Sequence, residues 1–336
     1  MSELRQNIAT REWVIIASER AKRPEEFVQP AKERVEERPA WAAHCPFCPG
    51  NEELDLERLR LPAEGDWTVR VVRNRYPALR EEGDRERRFD GINCAISGVG
   101  HHEVIVESRL HNTCPALETL HEVEQTLTAL QLRGLALRED QRVEQVVYFK
   151  NHGPTAGTSL LHPHAQLLGL PVVPSTIRAR IEEARRYFDD QGVCVYCRMR
   201  EDEQRQQVRM VVESACFSAF VPYAAFSPFH LWIIPRRHSA SFLAATSEEL
   251  CDLALVLREV LRKIYVGLND PDYNYTIRSS PEHEPASDSM HWYLAIVPRV
   301  SRVAGFEMGS GMFINTALPE ESAAFLRAVA AATSSK

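Results

Sequence analysis

Apolar and polar residues alternate in several short runs of the chain, and this alternation is typical of β-strands that bury one face. Two longer stretches, residues 116–138 and 247–268, instead carry apolar residues at the spacing of an amphipathic helix. Thr246 and Glu249 form a capping-box pattern, which predicts where the second helix begins. Strands are predicted at residues 69–74, 102–108, 146–150, 162–170, 209–213, 216–221, 229–235, 273–277 and 291–297.

The predicted elements occur twice in the same order. Each half begins with a Cys-x-x-Cys pair, after which strands, a helix and further strands follow. His111 and His162 are 51 positions apart in the first half, and His238 and His291 are 53 positions apart in the second. This agreement indicates a duplication, so we expect an α+β fold of two tandem domains, residues 1–175 and 176–336. Each domain is predicted to contain an antiparallel sheet, a long helix and a zinc site.

Composition limits the classes of function. The 336 residues are 44% hydrophobic and 26% charged, as expected for a globular enzyme with a sizeable core. The net charge of -7 and the pI near 6.0 argue against a nucleic-acid partner. Because the first residues lack an apolar signal segment and no stretch is long enough to cross a bilayer, we expect a cytoplasmic protein without a membrane partner. Its cysteines are expected to be thiols or metal ligands rather than disulfides.

Two sets of cysteine and histidine residues have the composition of tetrahedral Zn²⁺ sites, in which a Cys-x-x-Cys turn supplies two thiolates. With four protein ligands, each ion is expected to be structural, without a position for an activated water. His44 is an alternative ligand, whereas Cys94, Cys114, Cys216 and Cys251 are expected to pack in the core. Unrelated buried cysteines and histidines are the alternative interpretation. The candidate ligands are Cys45, Cys48, His111 and His162 in the first half, and Cys194, Cys197, His238 and His291 in the second.

The segment of residues 151–166 contains the candidate catalytic group. Gly157 and Ser159 lie in a predicted loop, where backbone N–H groups and hydroxyls can hold phosphate oxygens. On the strand that follows, His162, His164 and Gln166 are predicted to share one face. A neutral imidazole can attack phosphorus when its other nitrogen is held by a hydrogen bond, so His164 is the predicted nucleophile. Gln166 is expected to bind the non-bridging phosphate oxygens, although a metal-binding or structural role is the alternative for such a His-x-His pair.

The second half keeps the proposed ligand His291 but has Tyr293 and Ala295 where the first half has His164 and Gln166. We therefore expect the first half to be catalytic and the second half to support it.

The Cys-Pro-Phe-Cys turn, His111 and the His-Pro-His-Ala-Gln segment resemble the motifs of galactose-1-phosphate uridylyltransferases in the histidine-triad superfamily. The resemblance covers nearly the whole chain and implies a homodimer in which His164 becomes nucleotidylated. It also implies that Arg20 and Arg23 of the Arg-Ala-Lys-Arg-Pro segment approach substrate phosphates. Glu307, in a glycine-rich turn, is a candidate for contacts with sugar hydroxyls. Further nucleotide or phosphate contacts are implied for Asn74, Asn151, Ser159 and Gln166.

The resemblance implies a ping-pong reaction. A nucleoside-diphosphate sugar gives its nucleoside monophosphate to His164, and a hexose 1-phosphate or inorganic phosphate then accepts it. Transfer from UDP-glucose to galactose 1-phosphate, a step of galactose metabolism, is the first candidate. Residues 268–275, 291–299 and 305–311 resemble ADP-glucose phosphorylases, so adenylyl transfer to phosphate is the second. A hydrolase that transfers the nucleotide to water is a third candidate, and a non-catalytic zinc-ribbon module is a fourth, although the acidic segment of residues 45–57 argues against the module.

Overall fold

The protein has an α+β fold in this computed structural model, which describes residues 2–20, 22–28, 33–281, 283 and 287–330. The strands are β1 (Glu3–Gln6), β2 (Trp13–Ile16), β3 (Glu57–Leu61), β4 (Val69–Arg73), β5 (Arg87–Asp90), β6 (Asn93–Ile96), β7 (His101–Val106), β8 (Gln145–His152), β9 (His164–Leu170), β10 (Met210–Glu213), β11 (Phe217–Phe220), β12 (Leu231–Pro235), β13 (Tyr273–Arg278), β14 (Tyr293–Pro298) and β15 (Phe313–Asn315). The α-helices are α1 (Leu120–Arg138), α2 (Ser175–Gln191), α3 (Val195–Gln206), α4 (Ser247–Leu268), α5 (Gly305–Ser310) and α6 (Pro319–Ala328).

One 10-stranded antiparallel sheet runs through both halves in the order β10-β11-β12-β14-β13-β8-β9-β7-β4-β3. The two central strands, β13 and β8, come from different halves and pair antiparallel from Tyr273 with His152 to Ile277 with Tyr148. Outward from this pair the strands follow in equivalent order, with β14, β12, β11 and β10 on one side matched by β9, β7, β4 and β3 on the other. The predicted duplication is therefore visible in the topology, and the two antiparallel sheets join into one.

Helices α1 and α4 pack against each other and against one face of this sheet. Both begin with a capping box, which satisfies free N–H groups of the first turn. The predicted box at Thr246 and Glu249 is present, with the Glu249 N–H donating to Thr246 Oγ1 at 3.2 Å. The first helix begins at Leu120 rather than at residue 116, because Thr119 and Glu122 form an equivalent box. Buried leucines of both helices form the main core with the sheet.

Helices α2 and α3, which the hydrophobic pattern did not predict, cover part of the opposite sheet face in the second half. Tyr196 of α3 contacts Tyr293 of β14 with ring centroids 5.4 Å apart, and Ile181 of α2 joins the same buried cluster. Cys194 is the N-cap of α3. The second Cys-x-x-Cys pair therefore lies at a helix N-terminus.

A small sheet of β1, β2 and β15 connects the chain's first strands to its last strand, since β15 pairs parallel with β2. The Arg5 guanidinium reinforces this contact by donating to Glu320 Oε1 at 2.8 Å. Among the described residues, no helix combines the length and apolarity required to cross a bilayer.

Candidate active site and metal centres

The first Cys/His set converges in space. Cys45, Cys48, His111 and His162 each offer one ligand atom, and these atoms all lie within 4.8 Å of one another. Nδ1 of His111 and Nδ1 of His162 are both 3.6 Å from Cys48 Sγ. The Cys-x-x-Cys turn is closed by the Cys48 N–H, which donates to the Cys45 carbonyl at 3.3 Å. Two sulfur and two nitrogen atoms therefore face a common point.

A backbone contact orients one of these imidazoles. Nε2 of His162 lies 2.7 Å from the carbonyl oxygen of Ser108, so Nε2 carries the proton and donates it. The lone pair of Nδ1 is then free to face Cys48, which is the arrangement that metal-binding histidines require.

The second set is arranged in the same way. The ligand atoms of Cys194, Cys197, His238 and His291 also lie within 4.8 Å of one another. Nδ1 of His238 and Nδ1 of His291 are 3.4 and 3.3 Å from Cys197 Sγ. Both sets can therefore hold a metal ion, and their S₂N₂ composition fits tetrahedral Zn²⁺. Such an ion would cross-link separate segments of the chain, and its four protein ligands leave no position for an activated water.

The alternative ligand and the remaining cysteines lie elsewhere. His44, the alternative ligand, belongs to neither set. Cys114 is buried and Cys216 packs at the edge of the core, as predicted. Cys94 and Cys251 are exposed, so core packing was the wrong prediction for these two. Short strand and helix patterns place residues on a face, but they do not show which face is covered.

A cavity of about 460 Å³ lies on the sheet face opposite α1. His164 and Gln166 of β9 line it together with Asn74 and Ser159, so four predicted site residues share one pocket. The prediction that His162 lies on this strand face with His164 and Gln166 is wrong. His162 precedes β9, and its imidazole joins the first Cys/His set.

A hydrogen bond orients the His164 imidazole and leaves one ring nitrogen unprotonated. Its Nδ1 lies 2.8 Å from the carbonyl oxygen of His162, so Nδ1–H donates and Nε2 keeps its lone pair. Burial, together with a smaller contribution from the Lys150 charge, lowers the pKa of His164 to about 4, so the ring is neutral near pH 7. The ring of Phe47, from the Cys-x-x-Cys turn, packs against it at 5.5 Å between centroids. The arrangement provides a neutral imidazole with one unprotonated, oriented nitrogen beside a pocket.

A buried ion pair lies behind His164. Lys150 Nζ donates to Glu107 and also to the carbonyl oxygen of His164, the latter at 3.2 Å. Both charged side chains are about 1% exposed or less. Sequence reasoning assigned them no role, although charged residues within apolar strand patterns are a detectable signal of buried pairing.

Gln166 is positioned by a histidine that sequence reasoning also missed. His102 Nδ1 accepts from the backbone N–H of Ala78 at 3.1 Å, which leaves the proton of the neutral ring on Nε2. Nε2 lies 2.8 Å from Gln166 Oε1 and therefore donates to it. The amide NH₂ of Gln166 remains available as a donor. Asn74 lies close by, with its Nδ2 3.1 Å from the same His102 nitrogen.

The predicted phosphate loop is held by residues of the second half. Asn274 donates to Asn151 Oδ1 at 2.8 Å and to the carbonyl oxygen of Ala156 at 2.9 Å. Gly157 ends the turn in a left-handed conformation with φ of 93°. Asn151 lies at the end of β8 rather than in the loop, and neither it nor Gly157 lines the pocket, whereas Ser159 does.

Comparison with known proteins identifies the family. Residues 1–174 match the family model described as galactose-1-phosphate uridyl transferase, N-terminal domain, and residues 178–334 match the C-terminal domain of the same family. The chain belongs to the galactose-1-phosphate uridyl transferase family. It is therefore an enzyme of the transferase class, and a non-catalytic zinc-ribbon module is excluded.

Two curated relatives cover nearly the whole chain. An ADP-glucose phosphorylase from Arabidopsis thaliana is 36% identical over 97% of this chain and 93% of its own length. A galactose-1-phosphate uridylyltransferase from Thermotoga maritima is 31% identical over 97% of this chain and 98% of its own. Among solved structures, the Arabidopsis thaliana ADP-glucose phosphorylase with bound ADP-glucose superimposes with a TM-score of 0.83 at 33% identity, covering 98% of this chain and 99% of that one.

The structure of this uridyl transferase family member does not bring Arg20, Arg23 or Glu307 to the pocket. Arg20 and Arg23 are exposed. Glu307 caps α5, where its carboxylate accepts from the Ala304 N–H at 2.9 Å, so the predicted glycine-rich turn is helical. Their roles as substrate contacts stay predictions.

Three arginines that were not predicted do line the pocket, namely Arg70, Arg73 and Arg75. Arg70 is buried, and its Nε donates to Glu57 at 2.6 Å while its Nη2 has no partner among the described residues. A buried guanidinium nitrogen without an acceptor favours binding of an oxygen-rich ligand at this point. The available signal was that Arg70 and Arg73 lie in the predicted strand of residues 69–74 and that Arg75 follows it directly.

Proposed function

We propose that the protein is a nucleotidyltransferase that moves a nucleoside monophosphate from a nucleoside-diphosphate sugar to a hexose 1-phosphate through a covalent bond to His164. UDP-glucose as donor and galactose 1-phosphate as acceptor are the first candidates, because relatives of this chain are named galactose-1-phosphate uridylyltransferase. The observation that carries the proposal is the hydrogen bond from His164 Nδ1 to the His162 carbonyl, because it leaves Nε2 unprotonated beside the pocket.

The proposed reaction has two half-steps. His164 Nε2 attacks the α-phosphorus, a nitrogen–phosphorus bond forms, and the bond to the bridging oxygen breaks so that sugar 1-phosphate leaves with the electron pair. A phosphate oxygen of the acceptor then attacks the same phosphorus and releases the imidazole. Nδ1 keeps its proton throughout, and the His162 carbonyl stabilises the positive charge that the ring acquires in the adduct.

Several pocket residues support this chemistry. We propose that the Gln166 amide and the Ser159 hydroxyl bind the non-bridging oxygens, since both lie on the pocket wall with His164. We also propose that Asn74 and Arg70, which line the same pocket, bind other parts of the nucleotide sugar. Asn151 and Gly157 act by shaping the loop that carries Ser159.

Adenylyl transfer from ADP-glucose to inorganic phosphate is the second candidate. The 36% identity to the Arabidopsis thaliana ADP-glucose phosphorylase favours it. The same His164 adduct serves both reactions, because donor choice depends on pocket contacts around the base and acceptor choice depends on the space left after the first half-step.

The test combines adduct formation with substrate competition. Incubation with UDP-glucose or ADP-glucose should give one acid-labile nucleoside monophosphate per chain, detected by intact-mass spectrometry. His164→Ala should form none, whereas His121→Ala, an exposed histidine on α1, should react normally. A His164→Ala protein that still carries the nucleotide would contradict the proposal. Steady-state kcat/KM for both donors, each with galactose 1-phosphate and with phosphate, then ranks the two reactions.

We also propose that each Cys/His set binds one structural Zn²⁺. The convergence of two sulfur and two nitrogen atoms in each set supports this. Elemental analysis of the purified protein should give two zinc ions per chain, and a value near zero after purification without chelators would reject the proposal.

Three further proposals concern organisation. We propose a domain division between residues 175 and 176, supported by the equivalent strand order on the two sides of the β8–β13 pair.

We propose a cytoplasmic location, supported by eight cysteines that are all free of disulfides. We propose a homodimer, supported by the exposed apolar side chains of Val303, Phe306 and Met308, which sedimentation analysis can test.

A further inference from the structure

A second cavity, of about 180 Å³, lies in the second half of the sheet. It is separate from the catalytic pocket, and the two share no lining residue. Thr276, which lines it, pairs across the central strands with Phe149, and Phe149 pairs with Gln166, so both cavities lie on the same sheet face. We call it the second-half cavity. The lining residues that matter here are Arg180, His230, Trp232, Asn274, Arg278 and Tyr293.

The second-half cavity is the duplicate of the catalytic pocket. Tyr293 begins β14 as His164 begins β9. Trp232 pairs with Ala295 in the second half, as Val104 pairs with Gln166 in the first. The duplicate therefore lacks the nucleophile and the amide, but it keeps a pocket at the equivalent place.

The wall of the second-half cavity carries several positively charged side chains. Arg180 from α2 and Arg278 from β13 both line the cavity, and Arg299 lies at its edge. Burial and the neighbouring Arg180 charge lower the pKa of Arg278. Glu12 is the one carboxylate among the described residues of the wall, and its Oε2 accepts from Thr10 Oγ1 at 2.9 Å. The lining thus has an excess of positive charge.

Neither inner arginine has an ion pair among the residues that the structure describes, and Arg180 Nη1 is buried without a hydrogen-bond partner there. Buried guanidinium groups are ordinarily paired, because an unpaired buried charge is costly. Two adjacent, partly buried arginines without an ion-pair partner among the described residues therefore favour an anionic ligand.

His230 provides a further unsatisfied donor. It is 3% exposed, and its Nε2 accepts from the Trp232 indole N–H at 3.0 Å. The neutral ring therefore carries its proton on Nδ1, and this atom is buried without a partner among the described residues. The cavity presents donors from three side chains, which a phosphate group with several acceptor oxygens can satisfy.

Aromatic rings form another part of the wall. Trp232 and Tyr293 lie with ring centroids 4.4 Å apart, and Phe226 and Phe313 are 5.0 Å apart at the other side. The cavity volume is several times the roughly 30 Å³ that one water occupies in the liquid. There is room beyond a phosphate group, and the additional wall suits the ring of an organic molecule.

We propose that the second-half cavity binds a small organic phosphate, with Arg180 and Arg278 on the phosphate oxygens and the organic ring against Trp232 and Tyr293. A nucleoside monophosphate and a sugar phosphate share this chemistry. The proposal does not depend on the reaction at His164, since binding alone is measured.

Isothermal titration of the full zinc-loaded chain tests it, with AMP, glucose 1-phosphate and inorganic phosphate as separate probes. At least one organic phosphate should bind at two sites per chain, one in each pocket. Arg180→Gln and Arg278→Gln should each weaken the second site by roughly tenfold or more, as expected when a charge-assisted hydrogen bond is lost. Arg186→Gln is the matched control, because Arg186 lies on the same helix but is exposed and pairs with Glu183.

The retained first site reports that each variant is folded. Tighter second-site binding of AMP would identify a nucleotide, and tighter binding of glucose 1-phosphate would identify a sugar phosphate. A single site for both organic phosphates would overturn the proposal, and so would a second site that both substitutions leave unchanged. Second-site binding of inorganic phosphate alone would also overturn it.

Discussion

His102 Nε2 lies 2.8 Å from Gln166 Oε1, and this contact orients the side-chain amide of the proposed catalytic glutamine. The direction of the hydrogen bond follows from the opposite side of the ring, where Nδ1 accepts from the Ala78 backbone N–H. Without such a partner, the oxygen and NH₂ of a glutamine amide can exchange places. His102 is therefore a positioning residue for the donor that faces the transferring phosphate.

Replacing His102 with alanine should lower kcat by roughly 10- to 100-fold with a smaller change in KM, because the misplaced amide acts mainly on the transition state. The measurement is steady-state kinetics with the preferred nucleotide sugar. His121→Ala serves as the control, since that histidine is exposed on α1. A fall in kcat that accompanies a fall in melting temperature, with kcat and KM changed to a similar extent, would indicate a merely structural role.

The two metal sets should differ in their effect on catalysis. Cys48→Ser removes a proposed zinc ligand beside Phe47 and His162, which contact the His164 ring and its Nδ1, respectively. Cys197→Ser makes the same change in the second half. Both variants should lose about one zinc per chain and some stability, because structural zinc contributes to folding. Only Cys48→Ser should also lose most of its kcat.

Elemental analysis and single-turnover adduct formation, measured on the folded fraction, decide between these outcomes. The exposed Cys94 gives a matched Cys→Ser control with unchanged metal content. Equal kinetic effects of Cys48→Ser and Cys197→Ser would contradict the expected difference.

Lys150 and Glu107 should be important to stability as a pair. Lys150→Met leaves the Glu107 carboxylate buried without its cation, which is expected to cost about 3 to 5 kcal/mol of unfolding free energy. The double variant Lys150→Met/Glu107→Leu removes both charges and should recover much of that loss. Urea denaturation of the single and double variants provides the comparison. A double variant less stable than Lys150→Met would show that the ion pair is not the reason.

Much of the site could be predicted because its signals are spaced regularly along the chain. Similar spacings of His111 to His162 and of His238 to His291 indicated the duplication, and each set now converges within 4.8 Å. His164 and Gln166 followed from their alternation on a strand, since successive side chains point to opposite faces. Local patterns of this kind do not depend on knowing the tertiary structure.

The remaining features depend on long-range contacts. His102 meets Gln166, which is 64 positions away, and Asn274 meets Asn151 across 123 positions. The contact of His102 with Gln166 depends on the pairing of β7 with β9, and that of Asn274 with Asn151 depends on the pairing of β8 with β13. No local sequence pattern specifies which strands pair. Helix α2 was missed for a different reason, because it is rich in charged residues and buries only Ile181 and Ala184. Its apolar signal is therefore weak.

Gly153 and Gly157 should respond differently to substitution by alanine, although both have positive φ, 84° and 93°. A Cβ at Gly153 would lie 2.0 Å from Asp272 Oδ1, whereas a Cβ at Gly157 would have no contact nearer than 3.7 Å, to Asn151. Asp272 anchors the loop by accepting from the Thr155 N–H and hydroxyl at 2.7 and 2.6 Å.

Gly157→Ala carries the cost of a left-handed alanine, on the order of 1 kcal/mol, whereas Gly153, with φ of 84° and ψ of 160°, occupies a region that essentially only glycine adopts. Gly153→Ala must in addition displace Asp272 and the loop that leads to Ser159. We therefore expect Gly153→Ala to reduce kcat/KM by roughly 100-fold, as a misplacement near 1 Å can do, and Gly157→Ala to reduce it much less. Steady-state kinetics of the two variants, with thermal melting to measure their stability, provides the test. A Gly157→Ala loss equal to that of Gly153→Ala would show that backbone strain, rather than the Asp272 contact, controls the loop.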